Sequence, residues 1–180
     1  VSQSEQLENA DRAVVTGWLG EYLAWHIEEW SRLAGWGWSK PEVQAHVDHH
    51  RLAERDWDEL IGASENPDHF VRVSRRNGKP EGLVYARSRM DPFLQERVGQ
   101  LSWIYVDPSH RGTGLGDDLM AAAKQWMRER GLRMSEVFVT ASNRSAVDLY
   151  QRAGYQLADF RMFAPLSETK TSQPQTDPAV

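Results

Sequence analysis

The stretch Leu101-Ser-Trp-Ile-Tyr-Val106, continued by Asp107-Pro-Ser-His-Arg-Gly-Thr-Gly-Leu-Gly116, decides the fold of this 180-residue chain. Its first half is rich in aromatic and β-branched residues, as a buried strand requires. Beyond it, Leu115, Leu119, Ala122, Trp126 and Met127 fall on one stripe, which predicts a helix over 117–130. Between strand and helix, Gly112, Gly114 and Gly116 remove the Cβ atoms that would hold a ligand away from the backbone. The N–H groups of Gly112, Thr113, Gly114, Leu115 and Gly116 then form an anion cradle at a helix start, where the macrodipole adds to the attraction. The expected ligand is a pyrophosphate. A Walker A loop would end in Gly-Lys-Ser/Thr, whereas Asp117-Asp118 follows Gly116. A Rossmann fingerprint would space its glycines as Gly-x-Gly-x-x-Gly near the start of a βαβ unit; here they alternate, and they lie in the second half of the chain.

Downstream, Val137-Phe-Val-Thr140 reads as a short strand and Ala141-Ser-Asn143 as a turn and helix start. In the helix that follows, Ala146, Leu149, Tyr150 and Ala153 share a face, and Gly154 suits a left-handed helix end. Taken alone, these residues also describe an amphipathic helix whose tyrosine packs in a core. Together, Arg111-x-x-Gly114-x-Gly116 and the Asn-x-x-Ala-x-x-x-Tyr-x-x-x-Gly-aromatic run from Asn143 to Tyr155 resemble motifs A and B of the GCN5-related N-acetyltransferases. The resemblance covers residues 69–165.

It implies an α/β fold in one domain over residues 1–166, with a mixed, mostly antiparallel, splayed sheet flanked by helices. The acetyl-CoA motifs would lie within 98–155 and the acceptor-specificity helices within 18–60. By the same resemblance, the loop Gly112–Gly116 holds the pyrophosphate of acetyl-CoA with Arg111 at its side. The backbone of Ile104, Tyr105 and Val106 pairs with the pantetheine arm, Asn143 touches that arm, and Tyr150 protonates the departing sulfur. A phenol pKa of about 10 is close to that of an aliphatic thiol, which suits that role. Acetyl would pass directly to a primary amine, without a covalent enzyme intermediate and without a metal. Many family members carry a glutamate early in the strand before the glycine loop. Gln100 stands there in this chain, and no residue is assigned as the base. His26, Glu28, Glu29 and Asp58 lie in the acceptor region, and a water chain or an amine of lowered pKa would also serve. A protein or peptide N-acetyltransferase is the alternative enzyme, and a non-catalytic acyl-CoA-binding module is the alternative of another class. An acid at the sulfur, Tyr150, speaks for catalysis.

Charge is unevenly placed. Residues 1–60 hold 12 Asp and Glu against 5 Lys and Arg, a net of −7, whereas the whole chain carries −5. An acidic amino-terminal part beside a near-neutral remainder favours a small cationic acceptor, aminoglycoside- or polyamine-like, over nucleic acid, which would want a basic face. An acidic surface that only keeps the chain soluble is the plainer reading. Six of the 8 tryptophans precede Leu60. On the first helix Val15, Trp18, Tyr22 and Trp25 form one stripe, and Leu19, Leu23, His26, Trp30 and Leu33 the next, a wider apolar face than a surface helix needs. Part of it should pack on the sheet. The rest, with Trp25, Glu28 and Glu29, is assigned to a substrate cleft or to a subunit interface such as a homodimer's.

After Gly35-Trp-Gly-Trp38, a second helix is expected from Pro41 to about Ile61. His46, His49 and His50 on it lack a carboxylate partner in a known metal pattern, so a solvated face is expected. The middle of the chain reads as a meander: 69–75, an Asn77-Gly78 hairpin turn, 82–87, and 98–106. Val1–Leu7 supplies a further, poorly patterned strand. Without cysteine there is neither a disulfide framework nor a thiolate site. No apolar run is long enough to span a membrane, no signal-peptide pattern opens the chain, and a cytoplasmic protein is expected. The polar tail 167–180 is expected to be disordered.

Overall fold

A computed structural model of the chain describes residues 3–166. The tail expected to be disordered, 167–180, lies outside the described residues. Five strands form one sheet in sequence order. Strands β1 (Gln3–Glu5), β2 (His69–Arg76), β3 (Lys79–Met90) and β4 (Arg97–Val106) pair antiparallel, and β5 (Ser135–Val137) joins β4 in parallel. Helices α1 (Arg12–Leu33) and α3 (Leu52–Ala63) cover one face, with α2 (Lys40–His49) packed on α1. Helices α4 (Leu115–Glu129) and α5 (Arg144–Arg152) cover the other. This is the mixed, mostly antiparallel α/β sheet expected.

The hairpin between β2 and β3 turns at Asn77 and Gly78, with φ of 53° and 75°, the two left-handed residues of a turn matched to strand twist. Strand β3 is central, and Glu81–Ala86 is buried throughout because helices lie on both sides. Leu83 and Tyr85 face α1 and α3 and pack with Val15, Leu19, Trp57 and Leu60. Val84 and Ala86 face α4, against Leu119, Met120 and Ala123. Each buried Val, Leu or Met among them contributes about 1.5–3 kcal/mol by leaving water. The amino terminus is tied to this body by the buried Arg75, which pairs with Asp11 and, at 3.0 Å, with Glu5.

In β4 the alternation breaks. Tyr85 pairs with Trp103 and Ala86 with Leu101, so Ser102 is an extra residue, a β-bulge. Before it, Leu101 faces α4. After it, Trp103 and Tyr105 face α1, while Ile104 and Val106 take the α4 side. One inserted residue turns over the second half of the strand.

Several boundaries differ from the sequence expectation. The helix expected from Pro41 to Ile61 is two helices, broken at His50 and Arg51, the latter left-handed with φ 49°. Continuing the Val43–Val47 stripe in one straight helix would turn Glu54 and Asp58 inward, whereas Ala53, Trp57 and Leu60 are the buried residues. The break rotates the second apolar face onto the sheet. Helix α4 starts at Leu115, two residues before the expected Asp117. The strand expected at Val137–Thr140 ends at Val137, and Phe138 and Val139 are exposed beyond it. Of the strand expected at Val1–Leu7, the described residues form the three-residue β1, and Val1 and Ser2 lie outside them.

Candidate active site

The loop between β4 and α4 is anchored at both ends. Asp107 accepts the backbone N–H of Ser109 at 2.9 Å and also its hydroxyl, and these bonds hold the Asp107 carboxyl below its ordinary pKa. Thr113 Oγ1 donates to the His110 carbonyl at 2.7 Å. Gly114 then caps α4 with φ 89°, and an added Cβ there would meet nothing within 4 Å. Space therefore lies over the loop, where the N–H groups of the first helical turn have no partner within the helix. Gly116 differs: its Cβ would point inward, 3.6 Å from Leu149 and 3.8 Å from Val106. Arg111 folds back on the strand, its Nε donating to the Val106 carbonyl at 3.1 Å and its guanidinium 5.7 Å from the Tyr105 ring centre.

From this loop a gap runs into the sheet. Strand β5 pairs with β4 only from Gly99–Ser135 to Leu101–Val137, while β4 continues to Val106. Paired with β3 along one side, the backbone of Ser102 to Val106, which includes Ile104 and Tyr105, thus faces the gap on its β5 side with no strand partner there among the described residues. The hydroxyl of Ser102, at the bulge, is buried without a hydrogen bond. The side chains of Ile104 and Val106 pack toward α4, and Tyr105 is fixed on α1 by a stacked Trp18 and a 3.0 Å bond to Glu21.

Helix α5 lines the far side. Asn143 caps it, its side chain accepting the Ala146 N–H at 3.3 Å and the Ser145 hydroxyl at 3.1 Å. Gly154, with φ 89°, closes it, and the Tyr155 N–H returns to the Tyr150 carbonyl at 3.0 Å. Tyr150 is 9% exposed and meets Tyr155 edge-on at 6.0 Å. Burial, with Tyr22 and Tyr155 nearby, raises its phenol above the usual value. The match to a thiol's pKa expected from the sequence is therefore corrected: desolvation of the anion makes this phenol a weaker acid, protonated throughout the neutral range.

On the α1 side of the gap the aromatics gather. Tyr22 meets Trp103 edge-on at 4.6 Å and stacks on His26 at 5.6 Å, and His26 meets Trp30 at 4.3 Å. Trp25 is half-buried on the same helix, 6.0 Å from Tyr22. Arg161 lies over Trp30 at 4.5 Å and over Phe163 at 5.0 Å. His26 Nδ1 is 3.0 Å from Thr140 Oγ1, just past β5. Glu29 accepts the Ser142 hydroxyl at 2.8 Å and Arg32 at 3.1 Å, and these bonds lower its pKa. It ties α1 to the start of α5 rather than standing unpaired. Glu28 is half-buried nearby, and Asp58 is on the exposed side of α3.

Gln100 is locked by both ends of its amide. Its oxygen accepts Arg87 Nε at 2.7 Å, and its nitrogen donates to Glu136 at 3.1 Å. The carboxylate that position 100 lacks is present one strand over, but Arg89 already pairs with it. Among the described residues no group of three or more acidic, His or Cys side chains is set to hold a metal. His46 and His49 each meet His50, tilted at 4.5 Å and edge-on at 4.7 Å. Clefts lined by Asp68, Arg97 and Arg130, and by Asn66, His69 and Trp126, share no residue with the loop or with Tyr150.

Residues 22–155 match the profile of the acetyltransferase (GNAT) family. An uncharacterized N-acetyltransferase of Methanocaldococcus jannaschii is 35% identical over 85 residues, which is 47% of this chain and 38% of that protein. Mycothiol acetyltransferase of Thermobifida fusca is 29% identical over 128 residues, 67% of this chain and 40% of that protein. The chain thus spans about two fifths of the length of these curated relatives. Among solved structures, AAC(6')-Iy with the bisubstrate analogue CoA-S-monomethyl-acetylneamine superposes with a TM-score of 0.59 at 20% identity, covering 91% of this chain and 97% of that one.

Proposed function

The chain belongs to the GNAT acetyltransferase family, and from that premise we propose that it moves the acetyl group of acetyl-CoA directly to a primary amine of a small cationic molecule. One observation carries the reading: the β4 edge left open by β5 runs back from the glycine loop through Val106 and Ile104, which pack in one cluster with Tyr150. An extended ligand lying along that edge meets an anion cradle, then a row of backbone donors and acceptors, then a phenol. That order matches the pyrophosphate, amide-bearing arm and sulfur of coenzyme A, and the open space over Gly114 leaves room for the phosphates.

Each residue then has a task. The loop N–H groups, with Arg111 beside them, hold the phosphates. Backbone N–H groups past the Ser102 bulge polarise the thioester carbonyl. The amine nitrogen bonds to the carbonyl carbon, the C–S electron pair leaves with sulfur, and Tyr150 gives its proton to that sulfur. The amine releases one proton. A thiolate is already a good leaving group, so positioning supplies most of the rate.

The cationic acceptor is supported by the −7 charge of residues 1–60 and by the aromatic wall, on which Arg161 already rests as a cation. The solved relative AAC(6')-Iy holds an acetylneamine group joined to CoA in the same fold. The test is thiol release from acetyl-CoA with spermidine, kanamycin, a peptide with a free amino terminus and butylamine, alongside calorimetry of acetyl-CoA binding. Spermidine or kanamycin is expected to outpace butylamine. A faster peptide would make this a peptide acetyltransferase, binding without transfer to any amine would leave an acyl-CoA-binding module, and absence of binding would end the reading.

A further inference from the structure

We propose that His26 is the general base, its Nε2 taking the proton that the acceptor amine releases. This rests on the acetyltransferase reading and supplies the residue it lacks. The geometry carries it. The imidazole lies between α1 and the segment just past β5, at the mouth of the gap in the sheet. Tyr22 stacks on one side at 5.6 Å and Trp30 lies at 4.3 Å. Tyr22 in turn touches Trp103, the first residue after the bulge, and stands close enough to Tyr150 to influence its phenol. The ring thus lies on the α1 side of the gap and Tyr150 on the α5 side, and the proposal puts the reacting carbon between them. Three carboxylates of the region are engaged: Glu29 by Ser142 and Arg32, Glu136 by Arg89 and Gln100, Glu21 by Tyr105.

The proposed role takes one tautomer, to be read from the bond at the other ring nitrogen. With Nδ1–H donating to Thr140 Oγ1 at 3.0 Å, the lone pair is left on Nε2. Groups facing the ring also favour its neutral form. Burial lowers its pKa below the usual 6.5, and the Arg161 guanidinium lowers it further; Tyr22, on α1, is an uncharged phenol at neutral pH, and burial raises its pKa further. A base of lowered pKa is deprotonated, and so competent, at pH 7. The proton it receives from the amine nitrogen leaves to solvent as Tyr150 regains the one given to sulfur, and the cycle balances.

The test has two arms. Nitrogen-15 NMR of the parent, with the His26 signals assigned by their loss in His26→Gln, should show the Nδ1–H tautomer, neutral at pH 7 and titrating below 6.5. Thr140→Val should change that tautomer and Thr140→Ser should keep it. In parallel, His26→Gln should cut kcat/KM for the best amine of the panel about 10²-fold at pH 7, erase the acid limb of the pH profile, and leave acetyl-CoA affinity unchanged. Added imidazole should restore part of the rate in His26→Ala. An Nε2–H tautomer, or a His26→Gln rate within threefold of the parent with its acid limb intact, would overturn the assignment of His26 alone. Failure of the parent to bind acetyl-CoA would instead overturn the acetyltransferase reading beneath it.

Discussion

Gly114 and Gly116 stand two residues apart and serve different physical ends. A side chain at Gly114 would enter open space above the loop, and its φ of 89° costs an L-residue about 1–2 kcal/mol. Gly114→Val is therefore expected to keep most of the fold, by circular dichroism, and to weaken acetyl-CoA binding in calorimetry by about 100-fold or more, roughly 2.7 kcal/mol. At Gly116 the Cβ would make ordinary contact with Leu149 inside a helix. Gly116→Ala should leave binding nearly unchanged and, by removing a helical glycine, add up to about 1 kcal/mol of stability. For Tyr150→Phe, which keeps the buried ring and removes only the proton, the expected result is a rate about 10²-fold lower with coenzyme A affinity retained. The turn at the glycines and the helix face of Tyr150 were legible in the sequence because they are local, set by spacing along one loop or one helix. The pairing of His26 with Thr140 was not, because 114 residues separate them and only the fold brings α1 over the end of β5.

At the scale of elements, two irregularities position the site, and both were hidden in the pattern. Leu101, Trp103, Ile104, Tyr105 and Val106 are all apolar, so alternation along β4 could not reveal the reversal at Ser102. The break between α2 and α3 was equally masked, since the charged residues of 40–63 leave apolar stripes on two adjoining faces. Arg51 bears the conformational cost of that break. Its φ of 49° suits glycine better, so Arg51→Gly should raise stability by about 1 kcal/mol, a Tm increase of about 2–4 °C in calorimetry. A lower Tm would mean that the Arg51 side chain holds the turn by contacts beyond its backbone. Conversely, Trp57→Ala, in the core beneath that turn, should cost about 3–5 kcal/mol.

Across the whole molecule, the acidic amino-terminal helices and the near-neutral cofactor half make an uneven field. Attraction of a multiply charged amine by such a field is screened beyond about 8 Å at physiological ionic strength, so kcat/KM for spermidine should fall with added salt while that for butylamine changes little. A salt-independent preference would place acceptor choice in the aromatic wall of Tyr22, Trp25 and Trp30. The order of helices and strands was largely readable from periodicity, whereas the early parting of β4 from β5 depends on where two distant segments stop touching, which no local pattern records. That parting has a cost. A strand edge with open N–H and C=O groups will recruit any extended chain, and here the edge lies inside the protein, reachable whenever the ligand is gone. The ligand-free protein is one strand short of a finished sheet. Acetyl-CoA at 100 times its Kd should add about 2.7 kcal/mol, about 5–11 °C in Tm, and suppress light scattering on heating. Where acyl donor runs low, the protein would become easier to degrade, and its abundance would follow the supply of the molecule it consumes.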